Sequence, residues 1–214
     1  MTKIVAIDGP ASVGKSTIGK ILSRKYKSPI LFSGKLYRAI ALEVINQKIS
    51  LGNIKEIVKC VSNINLKQLS NKELYSSEVD KISSIISAKK QLRNKLVTFQ
   101  RDFPKSFCKS NKFAIIEGRD IGTVIFPKAD YKIFLWAKSE VRAKRRYEQL
   151  KKNGKKVSYK RIFEEINARD RKDMTRKTAP LMPAANSVLL DTSYIDIEQV
   201  FKALKNIILK TKTV

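Results

Sequence analysis

The fold is decided by the stretch Gly9-Pro10-Ala11-Ser12-Val13-Gly14-Lys15-Ser16-Thr17, whose first eight residues match the pattern G-x-x-x-x-G-K-[ST]. The apolar run from Lys3 to Ile7 stands directly before it and is typical of a strand buried on both faces. An amphipathic pattern that reaches about Lys27 follows it and predicts a helix. A glycine-containing loop between a strand and a helix is the arrangement that holds the phosphates of a nucleoside triphosphate.

The residue types in this loop suit a triphosphate and its metal ion. The glycines let backbone N–H groups curl around an anion, and the helix N-terminus adds the positive end of its dipole. Lys15 is expected to reach the β- and γ-phosphates, and the hydroxyl of Ser16 is the expected Mg²⁺ ligand. The loop therefore predicts the class of ligand and leaves the reaction open.

Strands and helices alternate along the rest of the chain. Strands are predicted at 3–7, 30–32, 113–117, 131–137 and 188–191, and helices at about 18–27, 35–47, 54–61, 78–86, 89–103, 140–152, 159–172 and 197–208. This alternation predicts an α/β fold of the P-loop type, a five-stranded parallel sheet with helices on both faces and ligands beyond the carboxyl ends of the strands. Ser33 is expected to cap the helix 35–47, and a hairpin is the expectation for the polar segment 64–78.

Length and composition are those of one folded domain. The chain has 214 residues, with 45 lysines and arginines against 19 acidic residues, and a net charge of +26. It contains no histidine, which excludes Ser-His and Cys-His catalysis and histidine-bound zinc. Cys60 and Cys108 are expected to be reduced packing residues, because they lie far apart and nothing indicates secretion.

The same composition bears on location and on macromolecular partners. No apolar run approaches the ~18 residues that span a bilayer, and the N-terminus lacks a secretory pattern, so a cytoplasmic protein without membrane contact is predicted. The lysine excess favours a solvated surface and no specific nucleic-acid binding, because no recognised nucleic-acid motif accompanies it. A basic protein that binds nucleic acid in a nucleotide-dependent way is the alternative from a different class.

Arginine indicates the kind of reaction. The chain has no N-K-x-D guanine motif and is too short for a motor, which favours a compact phosphotransferase whose arginines neutralise charge between phosphates. The run from Arg169 to Arg176 mixes both charges at a helix end, which is typical of a mobile lid, with a salt-bridged helix end as the alternative. The arginines considered as phosphate ligands are Arg38, Arg93, Arg119, Arg145, Arg146, Arg169, Arg171 and Arg176.

Taken together, the motifs resemble those of bacterial cytidylate kinases. The sequence GPASVGKST is followed in family order by SGKLYR at 33–38, EGRDIGTVIFPKA at 117–129, RDRKDMTR at 169–176 and APLMPAANSVLLDTS at 179–193. The resemblance implies transfer of the γ-phosphoryl group of ATP, with Mg²⁺, to CMP or dCMP. A monomer with no obligate protein partner is predicted, because the sequence has no long apolar stripe that would argue for a permanent dimer. It also implies a single nucleoside monophosphate kinase domain with a core (1–32, 104–150 and 178–214), an acceptor-binding insert (33–103) and a lid (151–177).

The resemblance also implies roles for individual residues. The loop from Gly9 to Thr17 would hold the ATP phosphates, with Arg145 and Arg146 on the ATP side. The residues implied around CMP are Ser33, Arg38, Arg119 and Arg176 at the phosphate, Ser84, Arg93 and Asp120 at the cytosine, Arg169 and Asp173 at the sugar, and Tyr37 in the same acceptor set. The implied catalytic residues are Lys15, Arg119, Asp120 and Arg176.

A carboxylate at Asp120 suits cytosine on physical grounds, because cytosine presents an amino donor where uracil has an acceptor. Another acceptor on the same fold remains the open alternative, either a different nucleoside monophosphate such as UMP or a small alcohol.

Overall fold

The computed structural model describes residues 2–107 and 111–210, so Cys108 lies outside the described residues. The chain divides into two compact units. The first contains the residues up to Ile30 and from Phe107 onward, and the second is Leu31–Ser106. The first unit carries the central strands of the sheet and the phosphate loop, and the second is largely helical.

The five predicted strands form one parallel sheet, which confirms the expected fold class. They are β1 (Lys3–Asp8), β2 (Ile30–Phe32), β3 (Phe113–Glu117), β4 (Tyr131–Trp136) and β5 (Val188–Asp191), in the order β2-β3-β1-β4-β5. Val5 in the central strand pairs with Ile115 of β3 on one side and Tyr131 of β4 on the other. β1 therefore ends in the middle of the carboxyl edge, where ligands bind in parallel sheets.

The helices follow the predicted alternation. They are α1 (Lys15–Lys25), α2 (Ser33–Asn46), α3 (Ile54–Lys59), α4 (Ser77–Ile86), α5 (Lys90–Phe107), α6 (Ser139–Lys152), α7 (Tyr159–Thr175) and α8 (Ile197–Lys210). None of the helices in the described ranges is long and apolar enough to cross a membrane.

The core of the first unit lies between the sheet and two helices. Apolar residues of α1 and α8, such as Leu22 and Leu204, pack on the sheet face that includes Val5 and Ile133. A smaller apolar cluster around Ile166 joins α7 to α6. Burial of both groups fixes α1 at the end of β1 and holds α7 beside α6.

The second unit is built around α2, which packs against α4. Leu36, Ile40 and Val44 on α2 are buried at the helical spacing of four residues, and Val79 and Ile86, two turns apart, are buried on α4. Apolar burial along these stripes is enough to explain why the helices associate.

Two local expectations were wrong. Ser33 does not cap α2, because the helix begins at Ser33 itself and its buried hydroxyl donates to Oε1 of Gln100 at 2.6 Å. A buried hydroxyl needs a partner, and that tertiary partner replaced the local cap. The segment 64–78 is not a hairpin but two 3₁₀ turns, Leu66–Ser70 and Lys72–Tyr75, followed by the start of α4. It lacks the alternating apolar residues that a hairpin needs.

Candidate active site

The phosphate loop joins the end of β1 to α1 in a backbone conformation that needs glycine. Gly9 has a φ of 147° and Gly14 a φ of 100°, and Ser12 is also left-handed at 58°. A Cβ atom built on Gly9 would lie 2.2 Å from the backbone oxygen of Leu135 in β4. The loop therefore lies directly against the neighbouring strand, and only glycine permits that approach.

Lys15 carries its charge in a buried place. Lys15 is only 5 % exposed, and its Nζ donates a hydrogen bond to the carbonyl oxygen of Pro10 at 2.7 Å. Burial lowers the pKa of Lys15 to about 7, helped by the positive charge of Arg119 and opposed by Glu117 and Asp8. An ammonium group stripped of water in this way gains much by meeting an anion such as a phosphate.

Ser16 is paired with an acidic residue that the sequence interpretation missed. Its hydroxyl donates to Oε2 of Glu117 at 2.9 Å, and Glu117 is the last residue of β3, which lies beside β1. A hydroxyl and a carboxylate at this position are oxygen ligands of the kind that Mg²⁺ prefers. An acidic residue at the end of a predicted strand was the signal that could have identified Glu117.

Asp8, also missed, shapes the segment after β3. Its carboxylate accepts hydrogen bonds from the N–H groups of Ile121 at 2.9 Å and Gly122 at 2.7 Å. Burial raises the pKa of Asp8 to about 6, and these two hydrogen bonds partly oppose the rise. Through them Asp8 fixes the turn that carries Arg119 and Asp120.

Four of the predicted acceptor residues form one charged cluster in the first unit. Nε of Arg119 donates to Oδ2 of Asp173 at 3.0 Å. Arg176 lies with its guanidinium 3.6 Å from Oδ1 of Asp173 and 3.7 Å from Oδ1 of Asp120. Burial raises the pKa of Asp173, but Arg119, Arg169 and Arg176 outweigh it and the pKa is lowered. The two carboxylates thus hold guanidinium groups in fixed positions beyond the end of β3.

The end of α7 is salt-bridged, as the alternative interpretation of the run 169–176 predicted. That this segment acts as a mobile lid stays a prediction. Besides Asp173, the buried carboxylate of Asp170 pairs with Arg142 of α6 and accepts a hydrogen bond from the N–H of Ala11 in the phosphate loop. Arg142 is only 2 % exposed and was not among the predicted residues. Its sequence context, one of several arginines in α6, gave no signal that distinguished it.

A cavity of about 250 Å³ opens beside the phosphate loop, within the first unit. Gly14 and Thr17 line it together with Arg145 and apolar residues near the start of α8. Arg145 is anchored by a hydrogen bond from its guanidinium to Oγ1 of Thr192 at 3.1 Å. Arg146 does not line this cavity, and its guanidinium donates to Gln149 on the surface of α6.

The remaining predicted residues belong to the second unit, where the first turns of α2 meet α5. Arg93 is 4 % exposed, donates to the carbonyl of Ser87 at 3.0 Å and lies 5.7 Å from the ring centre of Tyr37. Arg38 pairs with Asp80 and donates to the carbonyl of Leu74 at 2.7 Å. Ser33 contacts Gln100, as described above, and Ser84 lies half-buried on α4.

A parallel α/β sheet with a glycine loop, a buried loop lysine and an adjacent arginine cluster defines a phosphotransferase of the P-loop class. The sequence model of one family, described as cytidylate kinase, matches residues 5–210. Among curated proteins, the cytidylate kinase of Caldicellulosiruptor saccharolyticus is 38 % identical over 225 residues, covering 98 % of this chain and 97 % of the relative. That of Fusobacterium nucleatum is 38 % identical with 98 % of both chains covered, and that of Rickettsia felis is 37 % identical with 95 % and 90 % covered.

This chain belongs to the cytidylate kinase family, which confirms the resemblance and the predicted class of enzyme. Solved structures add agreement in fold alone. An uncharacterized protein from Eubacterium ventriosum has a TM-score of 0.57 at 13 % identity, covering 97 % of this chain and 98 % of that one. The protein TT1252 from Thermus thermophilus has a TM-score of 0.51 at 17 % identity, covering 100 % and 99 %.

Proposed function

We propose that this protein transfers the γ-phosphoryl group of ATP to CMP or dCMP, giving ADP and CDP or dCDP. Membership of the cytidylate kinase family supports this reaction. The structural observation that carries it is the phosphate loop with buried Lys15 beside the cluster of Arg119 and Arg176. Family membership does not favour the alternatives, another acceptor or a nucleic-acid-binding protein. The monomeric state and the cytoplasmic location stay predictions from the sequence.

On the donor side, the loop and Lys15 would bind the β- and γ-phosphates. The position of Lys15 supports this role, because desolvation raises the gain from meeting an anion. The cavity beside Gly14 and Thr17 would take the base of ATP, with the anchored guanidinium of Arg145 offering a planar cation to stack on it.

Mg²⁺ fits the oxygen atoms at the start of α1. The Ser16 hydroxyl and the Glu117 carboxylate, 2.9 Å apart, would hold it directly or through its water molecules. When bound, the ion neutralises charge on the β- and γ-phosphate oxygens. The hydrogen bond between the two side chains keeps both oxygens together at the end of β3.

On the acceptor side, Arg119 and Arg176 would bind the phosphate of the nucleoside monophosphate and stabilise the negative charge that develops during transfer. Asp173 supports this role because it holds both guanidinium groups. Asp120 would accept a hydrogen bond from the cytosine amino group, and Arg169 and Asp173 would lie near the sugar hydroxyls. The roles of Ser33, Tyr37, Arg38, Ser84 and Arg93 in the second unit are carried by the family resemblance.

The chemistry needs little beyond this arrangement. In phosphoryl transfer, positioning the two phosphates and neutralising their charge supply most of the rate enhancement. The residues of the first unit do both, since Lys15 serves the donor and Arg119 and Arg176 serve the acceptor. No side chain has to act as a general base.

The test is ATP consumption with Mg²⁺ and CMP, dCMP, UMP, AMP, GMP or shikimate, reported as kcat/KM. We expect CMP and dCMP to exceed UMP by about tenfold or more, roughly 1.4 kcal/mol in the transition state. Lys15→Met should abolish turnover, whereas Lys20→Met, on an exposed position of the same helix, should not. Preference for another acceptor would overturn the substrate, and equal turnover by Lys15→Met and wild type would overturn the role of the loop.

A further inference from the structure

A buried ion pair links α7 to the phosphate loop. Arg142 of α6 and Asp170 of α7 are 2 % and 6 % exposed and pair through Nη1 and Oδ2. The other carboxylate oxygen of Asp170, Oδ1, accepts a hydrogen bond from the N–H of Ala11 at 3.1 Å. Nη1 of Arg142 also donates to the carbonyl oxygen of Ala11 at 3.0 Å. Nε of Arg142 donates to the carbonyl of Ala137 at 2.8 Å, just after β4.

These contacts occupy both backbone polar groups of Ala11. The second half of the loop is held by its own helix, because the N–H groups of Thr17 and Ile18 donate to the carbonyl of Gly14. In the first half, Lys15 holds the carbonyl of Pro10, whereas Ala11 is held from outside, by one side chain on each of two other helices. The shape of the loop therefore depends on where α7 lies.

The same turn of α7 also reaches the arginine cluster. Asp173 follows Asp170 by three residues, about 4.5 Å along the helix axis, and it binds Arg119 and Arg176. One helical turn thus contacts the loop through Asp170 and the arginines through Asp173. This turn of α7 therefore connects the loop to the arginines, in addition to the connection through Asp8 at the end of β1.

Stability alone is a weak explanation for such a pair. Removing two charges from water costs several kcal/mol, and apolar residues of similar volume are often as stable at the same place. An ion pair whose two side chains hydrogen-bond to both backbone polar groups of one loop residue has a defined geometry, which an apolar pair cannot give.

We propose that the Arg142–Asp170 pair is a positioning element for phosphoryl transfer, which sets the phosphate loop against the arginines held by Asp173. This inference rests on the proposed function of the loop as the ATP site. Neither residue is placed on a substrate, so the pair acts through Ala11 and α7. Misplacement of reacting groups by about 1 Å can cost on the order of a hundredfold in rate.

The test uses two conservative variants and one matched control. Asp170→Asn keeps an oxygen for the N–H of Ala11 and removes the charge. Arg142→Lys keeps the charge but cannot reproduce the separate Nε and Nη1 donors that reach Ala137 and Ala11. The control is Arg161→Gln, which breaks the exposed Arg161–Glu165 pair on the same α7. Urea denaturation of each variant establishes that it is folded at the assay temperature.

We expect both variants to lower kcat for CMP at least tenfold while KM for ATP changes less than about threefold, because the N–H groups from Ser12 onward stay in place. The control should match wild type in both constants. A purely structural pair would lower the urea midpoint and leave kcat unchanged in folded enzyme. That result would overturn the inference, as would a loss confined to KM.

A second readout does not depend on the acceptor. Trp136 is the single tryptophan of the chain, and the guanidinium of Arg142 lies 5.9 Å from its ring centre. Saturating ATP should change its emission in wild type and in Arg161→Gln, and the change should fall by at least half in Arg142→Lys. An equal response in Arg142→Lys, or none in wild type, would overturn the inference. Absence of CMP turnover in wild type would instead overturn the proposed function.

If either single variant fails to fold, the double variant Arg142→Met/Asp170→Leu replaces it. It removes both charges, so it leaves no unpaired buried ion and should fold. It still removes both hydrogen bonds to Ala11, and we expect the same loss of kcat. A folded double variant with the kcat of wild type would overturn the proposal.

Discussion

Replacing Gly9 by alanine would test the close approach of the phosphate loop to β4. The new methyl carbon would lie 2.2 Å from the backbone oxygen of Leu135, a contact that backbone displacement has to relieve. It would also sit on a residue with a φ of 147°. The left-handed backbone costs about 1–2 kcal/mol for a residue with a Cβ. Forcing the strand aside costs about 1–3 kcal/mol more.

We therefore expect Gly9→Ala to lower the free energy of unfolding by about 2–5 kcal/mol, the sum of these two costs. For a chain of this length each kcal/mol lowers Tm by about 2–4 °C, so the fall is about 10 °C. Urea denaturation followed by circular dichroism measures the free energy, and calorimetry measures Tm.

Substitutions at two other glycines separate the cost of the backbone conformation from the cost of the contact with Leu135. Gly14 has a φ of 100° but nothing within 4 Å of its built Cβ, so Gly14→Ala should cost only the backbone term, about 1–2 kcal/mol. Gly34, in the first turn of α2, has neither feature, and Gly34→Ala should stabilise the protein by about 0.5–1 kcal/mol. If Gly9→Ala and Gly14→Ala cost the same, the contact with Leu135 contributes nothing and the reasoning is refuted.

Three further outcomes are expected. Because burial lowers the pKa of Lys15 to about 7, ATP binding should weaken as pH rises from 7 to 9. Lys15→Arg should bind ATP more weakly, but its affinity should not change between pH 7 and 9, because arginine stays charged. Calorimetric titrations in which the ATP affinities of wild type and Lys15→Arg fall in parallel with pH would contradict this explanation. The raised pKa of Asp8, about 6 in the folded state against 3.8 unfolded, contributes stability that is present below pH 3.8 and lost as pH rises through 6. Asp8→Asn cannot titrate, so its unfolding free energy relative to wild type should rise by about 3 kcal/mol between pH 3.5 and 7, and a constant difference in urea melts would exclude the effect. Arg145→Ala should raise KM for ATP at least tenfold and leave KM for CMP within about twofold, and steady-state kinetics showing the reverse would remove Arg145 from the donor side.

The two sequence-based errors have a common cause. Ser33 has the chemistry of a helix cap, but its hydroxyl is buried and bonds to Gln100, 67 residues away. The segment 64–78 was assigned from its polar, turn-forming residues, but it forms two 3₁₀ turns in which Leu69 and Leu74 are buried. In both places a tertiary contact decided between local structures of similar energy.

The sequence by itself determined the α/β alternation, the five strands, the phosphate loop and the family, because periodicity and loop glycines are local properties of the chain. Only the tertiary structure decided which side chains meet. Glu117 lies 101 residues from Ser16, Asp8 113 residues from Ile121, and Asp170 159 residues from Ala11. Those pairs depend on the strand order that places β3 and β4 on either side of β1. No local pattern encodes that order, because it is set by how all the apolar faces are buried together.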